Sequence, residues 1–198
     1  LRPSTPAILR ACAAAVRDLG GEPVFCGFVP TPALAYRAFA EGIPSIMVTG
    51  SHIPDDRNGI KFYRPDGEIL KDDEPGMVSQ LVGPGAWSWR PDGRLTDAPP
   101  LPEPIDVQSD YVARYSNFFG IEALKGLRVG VYQHSAVGRD ILAEILSVLG
   151  AEVVPLGRSE TFIPVDTEAV RAEDVALARQ WAAEFGLDAI ASTDGDSD

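Results

Sequence analysis

Two short segments hold residue types that can do chemistry together. The first runs Thr49-Gly50-Ser51-His52-Ile53-Pro54 and continues to Asn58-Gly59-Ile60-Lys61. A short apolar run over 46–48 opens directly into it. A serine at a strand end is a nucleophile only when something takes its proton or holds its product. Lys61 can serve as general acid or base, or bind an anion as a point charge. The same residues also make an ordinary polar turn with a solvated lysine, because Ser, His and Lys are common near turns. The second segment is Asp194-Gly195-Asp196-Ser197-Asp198. Its three alternating carboxylates repel one another unless a cation sits among them. Hard oxygen ligands suit Mg²⁺ or Ca²⁺. A solvated acidic turn and half of a calcium loop are the competing readings. An EF-hand needs its glycine after the third acid and a later bidentate glutamate, and neither is present here.

The elements that must position these segments can be read from periodicity. The pattern predicts a helix over 6–19, capped by Ser4 or Thr5, with Ile8, Cys12, Ala15, Val16 and Leu19 on one face and Gly20-Gly21 as its stop. A strand is expected over 23–28 and a helix over 31–40, with Thr31 as cap and Pro32 in the first turn. The run 46–48 is apolar throughout, as in a strand buried on both faces. A hairpin follows, 60–63 with 68–70, around Pro65-Asp66-Gly67. Residues 83–104 are rich in Gly, Pro and Asp and read as an irregular excursion, with Trp87 and Trp89 as its anchors, and then a stiff linker. The domain boundary is expected near Pro104.

The second block alternates regularly: a lead-in helix over 111–119, strand 127–132, helix 137–149, strand 152–156, helix 172–185 and strand 189–192. Such alternation predicts a parallel sheet with right-handed crossovers, whose ligands bind beyond the carboxyl ends of its strands. The aspartate segment lies at such an end. His134, between a strand and a helix, is read as a packing or hydrogen-bonding residue. The expected fold is thus α/β: two α/β domains, 1–104 and 105–198, each a parallel or mixed sheet flanked by helices.

Composition narrows the classes further. The 198 residues carry 17 basic and 29 acidic side chains, a formal net charge of −12. That balance disfavours nucleic acid and anionic membranes as partners. No apolar run is long enough to span a bilayer and the start is no signal peptide. Two cysteines, Cys12 and Cys26, fit buried thiols in a reducing cytoplasm. A phosphate-handling role for so acidic a chain needs a local positive patch, a metal ion or basic residues elsewhere.

The two segments together resemble the α-D-phosphohexomutases, most closely the bacterial phosphomannomutase and phosphoglucomutase type. Thr49 to Pro54 with Asn58-Gly59-Ile60-Lys61 is similar to the family's phosphoserine loop, T-A-S-H-N-P followed by N-G-x-K. Asp194 to Asp198 is similar to its metal loop, D-G-D-x-D. Val29-Pro30-Thr31-Pro32 and the stretch 120–154 with Leu149-Gly150-Ala151-Glu152-Val153 also match. The resemblance implies a cytoplasmic isomerase that interconverts hexose 1-phosphate and hexose 6-phosphate, of mannose or glucose, through a phosphoserine and a hexose 1,6-bisphosphate. Glucosamine phosphate is the alternative substrate. Ser51 would carry the phosphoryl group, His52 would help hold it, and Lys61 would be the general acid/base. Ser51, Asp194, Asp196 and Asp198 would hold Mg²⁺. Neither the preferred sugar nor the oligomeric state is written in these residues.

There are departures. Ile53 stands where the family often has Asn, and Gly50 replaces the usual Ala, which frees the backbone beside the nucleophile. The family has four domains, and this chain is expected to hold the first two, both incomplete. Arg2 would be the tail of a Gly-Arg-Asp motif, and Asp198 would stand one residue short of a family arginine. The segment alone is therefore expected not to complete the reaction, and Asp198 is expected to be frayed. A non-catalytic fragment and a metal-binding structural domain remain the alternatives.

Overall fold

The structure, a computed structural model, describes residues 2–51, 53–54, 56–83 and 87–198. The first half opens with α1 (Thr5–Asp18) and α2 (Thr31–Glu41), followed by β1 (Ser45–Val48), β2 (Ile60–Arg64), β3 (Gly67–Glu68) and a short α3 (Glu74–Val78). The second half is α4 (Gln108–Phe119), β4 (Arg128–Tyr132), α5 (Arg139–Val148), β5 (Glu152–Leu156), α6 (Ala172–Phe185) and β6 (Ala189–Ala191). Among the described residues no helix is long and apolar enough to cross a membrane.

The second sheet follows the expected pattern. Its order is β5-β4-β6 and all its strands are parallel, with Val131 opposite both Pro155 and Ala191. The central strand β4 buries Val129 and Val131, as a strand covered on both faces must. The segment after β6 leaves from the carboxyl end of the sheet, which is where the aspartates begin.

The first sheet is different. Its described strands, in the order β1-β2-β3, are all antiparallel, with Met47 opposite Lys61 and Val48 opposite Ile60. β1 is therefore an edge strand, and only Val48 of it is buried. Residues 23–28 carry no strand and pair in no ladder. A cavity of about 140 Å³ separates them from β1, lined on one side by Val24 to Val29 and on the other by Ile46 to Thr49. Because β1 pairs with β2, residues 49–59 connect two antiparallel neighbours, and the register sets Lys61 opposite Met47, near the end of β1 from which the Ser51 segment leaves.

Smaller differences have local causes. α1 buries Thr5, Ala13 and Ala14, while Leu19, expected on its inner face, is 90% exposed beyond the helix end. α5 begins at Arg139, because the amides of Val137 and Gly138 bond to residues after β6 instead of entering the helix. α6 packs so shallowly that none of its residues is buried, and an apolar groove lined by Val175, Trp181, Leu187 and Ile190 runs beneath it. Trp87 donates its indole N–H to Asp18 and holds the excursion to α1. Trp89 is 55% exposed, and it is Leu95, bridged to it through the backbone, that is buried. The linker is also bound, with Ile105 N on Phe25 O at 2.9 Å.

The halves share one core. Ala33 of α2 packs with Tyr111 and Val112 of α4, and these pack with Ile141 and Ile145 of α5. α4 is thus the wedge that fixes the Ser51 side of the molecule against the aspartate side. Cys12 and Cys26 are free thiols, half-buried, and burial pushes both above the ordinary thiol range.

Candidate active site and metal centre

Ser51 lies at the turn that ends β1, with φ +45°. Its amide donates to Thr49 Oγ1 at 2.9 Å. Its hydroxyl donates to Asp194 Oδ2 at 2.5 Å, across 143 residues of sequence. The two loops also touch through their backbones. A Cβ on Gly195 would stand 3.0 Å from the Ser51 carbonyl oxygen, so glycine is needed there for close approach.

What holds the Ser51 loop is Arg2, which is 6% exposed. Among the described residues its guanidinium donates to the carbonyl oxygens of Ser51 at 2.9 Å, Ile53 at 2.5 Å, Arg57 at 3.0 Å, and Pro54. The planar fork matches such a ring of acceptors, and the cation lies over the Phe162 ring, 4.9 Å from its centroid. A Cβ on Gly50 would lie 2.5 Å from the guanidinium. Gly50 thus makes room for Arg2; its value here is less a free backbone than a vacant side-chain position. Asn58 ties the far end of the loop to the start of α1 by donating to Ser4 Oγ at 3.1 Å and Thr5 Oγ1 at 2.9 Å. Those two hydroxyls were expected to cap α1 and instead make no cap bond. His52 lies outside the described residues.

The aspartates converge as well. One carboxylate oxygen from each of Asp194, Asp196 and Asp198 lies within 4.8 Å of the others. Asp194 and Asp196 are buried. Asp194 Oδ1 accepts the amides of Ser197 at 2.9 Å and Asp198 at 3.3 Å. Asp196 Oδ2 accepts Thr31 Oγ1 at 2.7 Å and Lys61 Nζ at 3.1 Å. Lys61 reaches Asp198 Oδ2 at 2.8 Å as well. Asp198 is therefore held by an ion pair and by its own amide, contrary to the expected fraying.

The electrostatics follow from this arrangement. Burial, with the charges of Asp196 and Asp198 nearby, pushes Asp194 up to about 6, although the Ser51 hydroxyl works the other way. Burial also opposes ionisation of Asp196, but the Thr31 hydroxyl, its contact with Asp194 and Lys61 outweigh it and hold that carboxyl below its usual range. The two carboxyls are thus shifted in opposite directions, with the Lys61 ammonium on Asp196 and the Ser51 hydroxyl on Asp194. Burial alone would lower Lys61, but its bonds to Asp198 and Asp196 raise it above the ordinary lysine range.

These residues fit a hard divalent cation. The donors are carboxylate oxygens, two of the three acids are buried, and Asp196 Oδ1 is buried with no hydrogen-bond partner among the described residues. Three described non-glycine residues have positive φ: Ser51, His134 at +29° and Ser197 at +64°. All three belong to this site. Such conformations cost about 1–3 kcal/mol each and persist where the surroundings over-determine them, commonly at functional sites.

Sequence reasoning singled out Ser51, Lys61 and the three aspartates, and the structure brings them together. It missed Arg2 and Thr31 as site residues. Arg2 stood in the sequence only as the tail of a family motif, with nothing to show what it would hold. Thr31 was read as a helix cap, yet its amide and hydroxyl both serve Asp196, the amide on the carbonyl oxygen at 2.9 Å.

Comparison with known proteins gives the arrangement its family. Residues 1–82 match phosphoglucomutase/phosphomannomutase, alpha/beta/alpha domain I, and residues 109–198 match alpha/beta/alpha domain II. The chain belongs to the phosphoglucomutase/phosphomannomutase family. The resemblance read from the two loops is borne out, and so is the two-part α/β fold. Within the family, the chain is 45% identical over 201 residues to a phosphomannomutase from Salmonella muenchen, a match covering 100% of this chain and 39% of that protein. It is 48% identical over 200 residues to a phosphomannomutase from Sinorhizobium fredii, covering 100% and 41%. A phosphoglucosamine mutase from Paracoccus denitrificans is 31% identical over 196 residues, covering 95% and 41%. Among solved structures, a phosphoglucomutase/phosphomannomutase family protein from Burkholderia thailandensis superposes with a TM-score of 0.66 at 27% identity, covering 98% of this chain and 43% of that one. The chain thus spans roughly two fifths of the length of these family members.

Proposed function

We propose that the protein carrying this chain is a phosphohexomutase, an isomerase that interconverts hexose 1-phosphate and hexose 6-phosphate with Ser51 as phosphoryl carrier. The observation that carries this reading is the 2.5 Å bond from Ser51 Oγ to Asp194 Oδ2. It sets a nucleophilic hydroxyl at the edge of a carboxylate cluster suited to a cation. A purely structural metal domain would leave that placement without a role.

In the proposed cycle Ser51 carries a phosphoryl group at rest. A hydroxyl of the bound hexose phosphate attacks the phosphorus. The new P–O bond to the sugar forms as the bond to Ser51 Oγ breaks, the sugar hydroxyl gives up its proton, and the serine oxygen regains one. The hexose 1,6-bisphosphate then returns its other phosphoryl group to Ser51 by the reverse exchange. Asp194 orients the serine hydroxyl. Lys61 holds its proton firmly, which suits a charged donor to phosphoryl oxygens better than a base. His52, next in sequence, is assigned to hold the phosphoryl group. Asp194, Asp196 and Asp198, with an oxygen on Ser51, would hold Mg²⁺, whose charge would offset that of the transferring group. Arg2 fixes the carbonyl of Ser51 and those of Ile53, Pro54 and Arg57 after it, and positioning is most of what phosphoryl transfer asks of a protein. In this reading residues 1–104 supply the carrier and residues 105–198 the metal ligands.

Mannose phosphate is the favoured substrate, because the phosphomannomutase relatives are 45% and 48% identical while the phosphoglucosamine mutase is 31% identical. Glucose phosphate is the second choice. A cytoplasmic location goes with such substrates and with the two free thiols. The test is a coupled assay of the full-length protein with mannose 1-phosphate, a trace of bisphosphate and Mg²⁺. Turnover is expected for the parent and a loss of at least ~10³-fold for Ser51→Ala. Normal turnover by that variant would overturn the role of Ser51.

A further inference from the structure

A third segment supports the aspartate loop and has no part in the cycle above. Residues 133–138, between β4 and α5, make three bonds to it. His134 Nε2 lies 2.8 Å from Thr193 O, Val137 N donates to Gly195 O at 3.0 Å, and Gly138 N donates to Ser197 Oγ at 2.9 Å. The second and third are donated by backbone amides, the third at a glycine where a Cβ would stand 2.7 Å from Ser197 Oγ. Only the first depends on a side chain of this segment.

His134 is 0% exposed and is fixed from both ends. Its carbonyl accepts Ser159 N at 2.9 Å and Arg139 Nη1 at 3.2 Å, and the same Arg139 nitrogen reaches Ser159 O at 2.6 Å. Its ring packs edge-on against Tyr132, 5.2 Å between centroids. A carbonyl only accepts, so Nε2 carries the hydrogen. Nδ1 is then bare, and it has no partner among the described residues. A phenylalanine or leucine would fill this space without burying a bare ring nitrogen, at the cost of the donor to Thr193 O. The imidazole sits here despite that bare nitrogen, and its one ring bond goes to the carbonyl immediately before Asp194.

We propose that His134 is a positioning residue for the cation site: its Nε2–H anchors Thr193 and thereby sets the place of the Asp194 carboxylate relative to Asp196 and Ser51. This rests on the reading that the aspartates hold a divalent cation. It makes the cation affinity depend on a side chain that touches neither the cation nor the phosphoryl group.

The test is calorimetric titration of Mg²⁺ into the purified chain and its variants. His134→Phe keeps the ring and removes the donor, and about tenfold weaker binding is expected, at the low end of effects from outer-shell partners. His134→Gln carries an N–H at comparable reach and is expected to bind close to the parent. Parent-like affinity in His134→Phe overturns the proposal. Should that variant not fold, His134→Asn, whose amide stops short, is compared with His134→Gln: weaker binding by the Asn variant supports the proposal and equal binding overturns it. In the parent, nitrogen NMR is expected to show a protonated Nε2 and a bare Nδ1, with the ring resonances moving as Mg²⁺ saturates. Resonances that stay still during saturation overturn it. Asp194→Asn is the separate check on the underlying reading. If it binds Mg²⁺ like the parent, the cation site itself is wrong; if it loses binding while His134→Phe does not, only the role of His134 fails.

Discussion

The Ser51 loop and the aspartate loop meet at the Ser51–Asp194 hydrogen bond but are held in different ways. The aspartate loop is short and largely self-bonded, its amides folded back onto Asp194 Oδ1, and it leaves the end of a parallel strand. The topology delivers it. The Ser51 loop connects two antiparallel strands, and the carbonyls of Ser51, Ile53, Pro54 and Arg57 converge on the guanidinium of Arg2, which lies 49 to 55 residues away in sequence. The first loop leans mainly on its own amides, with Thr31 and His134 as outside supports; the second hangs chiefly on a distant side chain, with Asn58 tying its far end. It follows that a substitution in the first should cost ligand binding, and a substitution at the support of the second should cost order.

The largest effect expected is on cation binding. Asp194→Asn should weaken Mg²⁺ by more than ~100-fold, beyond the usual 10–100-fold for outer-shell partners, while urea unfolding without metal changes little or shows a gain. Next comes Arg2→Ala. Charge-assisted hydrogen bonds contribute about 1.5–3 kcal/mol each but do not add, so a loss of roughly 2–4 kcal/mol is expected in urea unfolding, with faster proteolysis within 50–58. If Arg2→Ala instead left the loop protected and only weakened Mg²⁺, the contrast between the loops would be wrong. Thr31→Val should be milder, about 1–2 kcal/mol, because Asp196 keeps Lys61.

The smallest effect concerns pH. Asp194 is raised from its ordinary 3.8 to about 6 in the folded chain, chiefly by burial. A raised carboxyl favours folding when protonated, so that contribution is full below the unfolded value and disappears as pH rises through about 6. Above that range the metal-free site carries unrelieved negative charge. Mg²⁺ should therefore raise the melting temperature more above about pH 6 than near the unfolded value, where protons compete for the same oxygens. An equal shift at both ends, measured by calorimetry, would mean that Asp194 does not titrate with the cation.

How much of this was legible in the sequence depended on the range of the interactions. The parallel sheet and its helices are encoded in local periodicity, and the aspartates sit where alternation of strand and helix must place them. Ser51 and Lys61 were visible as types near a turn, and the fold brings both to the aspartates, Ser51 to Asp194 and Lys61 to Asp196 and Asp198. Arg2 was not legible as a support, because its partners are backbone carbonyls, which have no signature in sequence. Thr31 was misread for a related reason: before Pro32 it satisfies every local rule for a cap, and only the tertiary fold offers its hydroxyl a carboxylate instead. The strand expected over 23–28 forms no ladder: a ladder needs a hydrogen-bonded neighbour, and a cavity lies between this segment and β1, which pairs with β2.

The central claim is that Ser51 is the phosphoryl carrier of a site completed by the aspartates. Its most direct test is peptide-resolved mass spectrometry of the full-length protein after incubation with glucose 1,6-bisphosphate and Mg²⁺. The account predicts a stable phosphate on Ser51, absent from Ser51→Ala and acquired far more slowly by Asp194→Asn. Phosphate on another residue with Ser51 unmodified, or equal labelling of Ser51 in parent and Asp194→Asn, would contradict it.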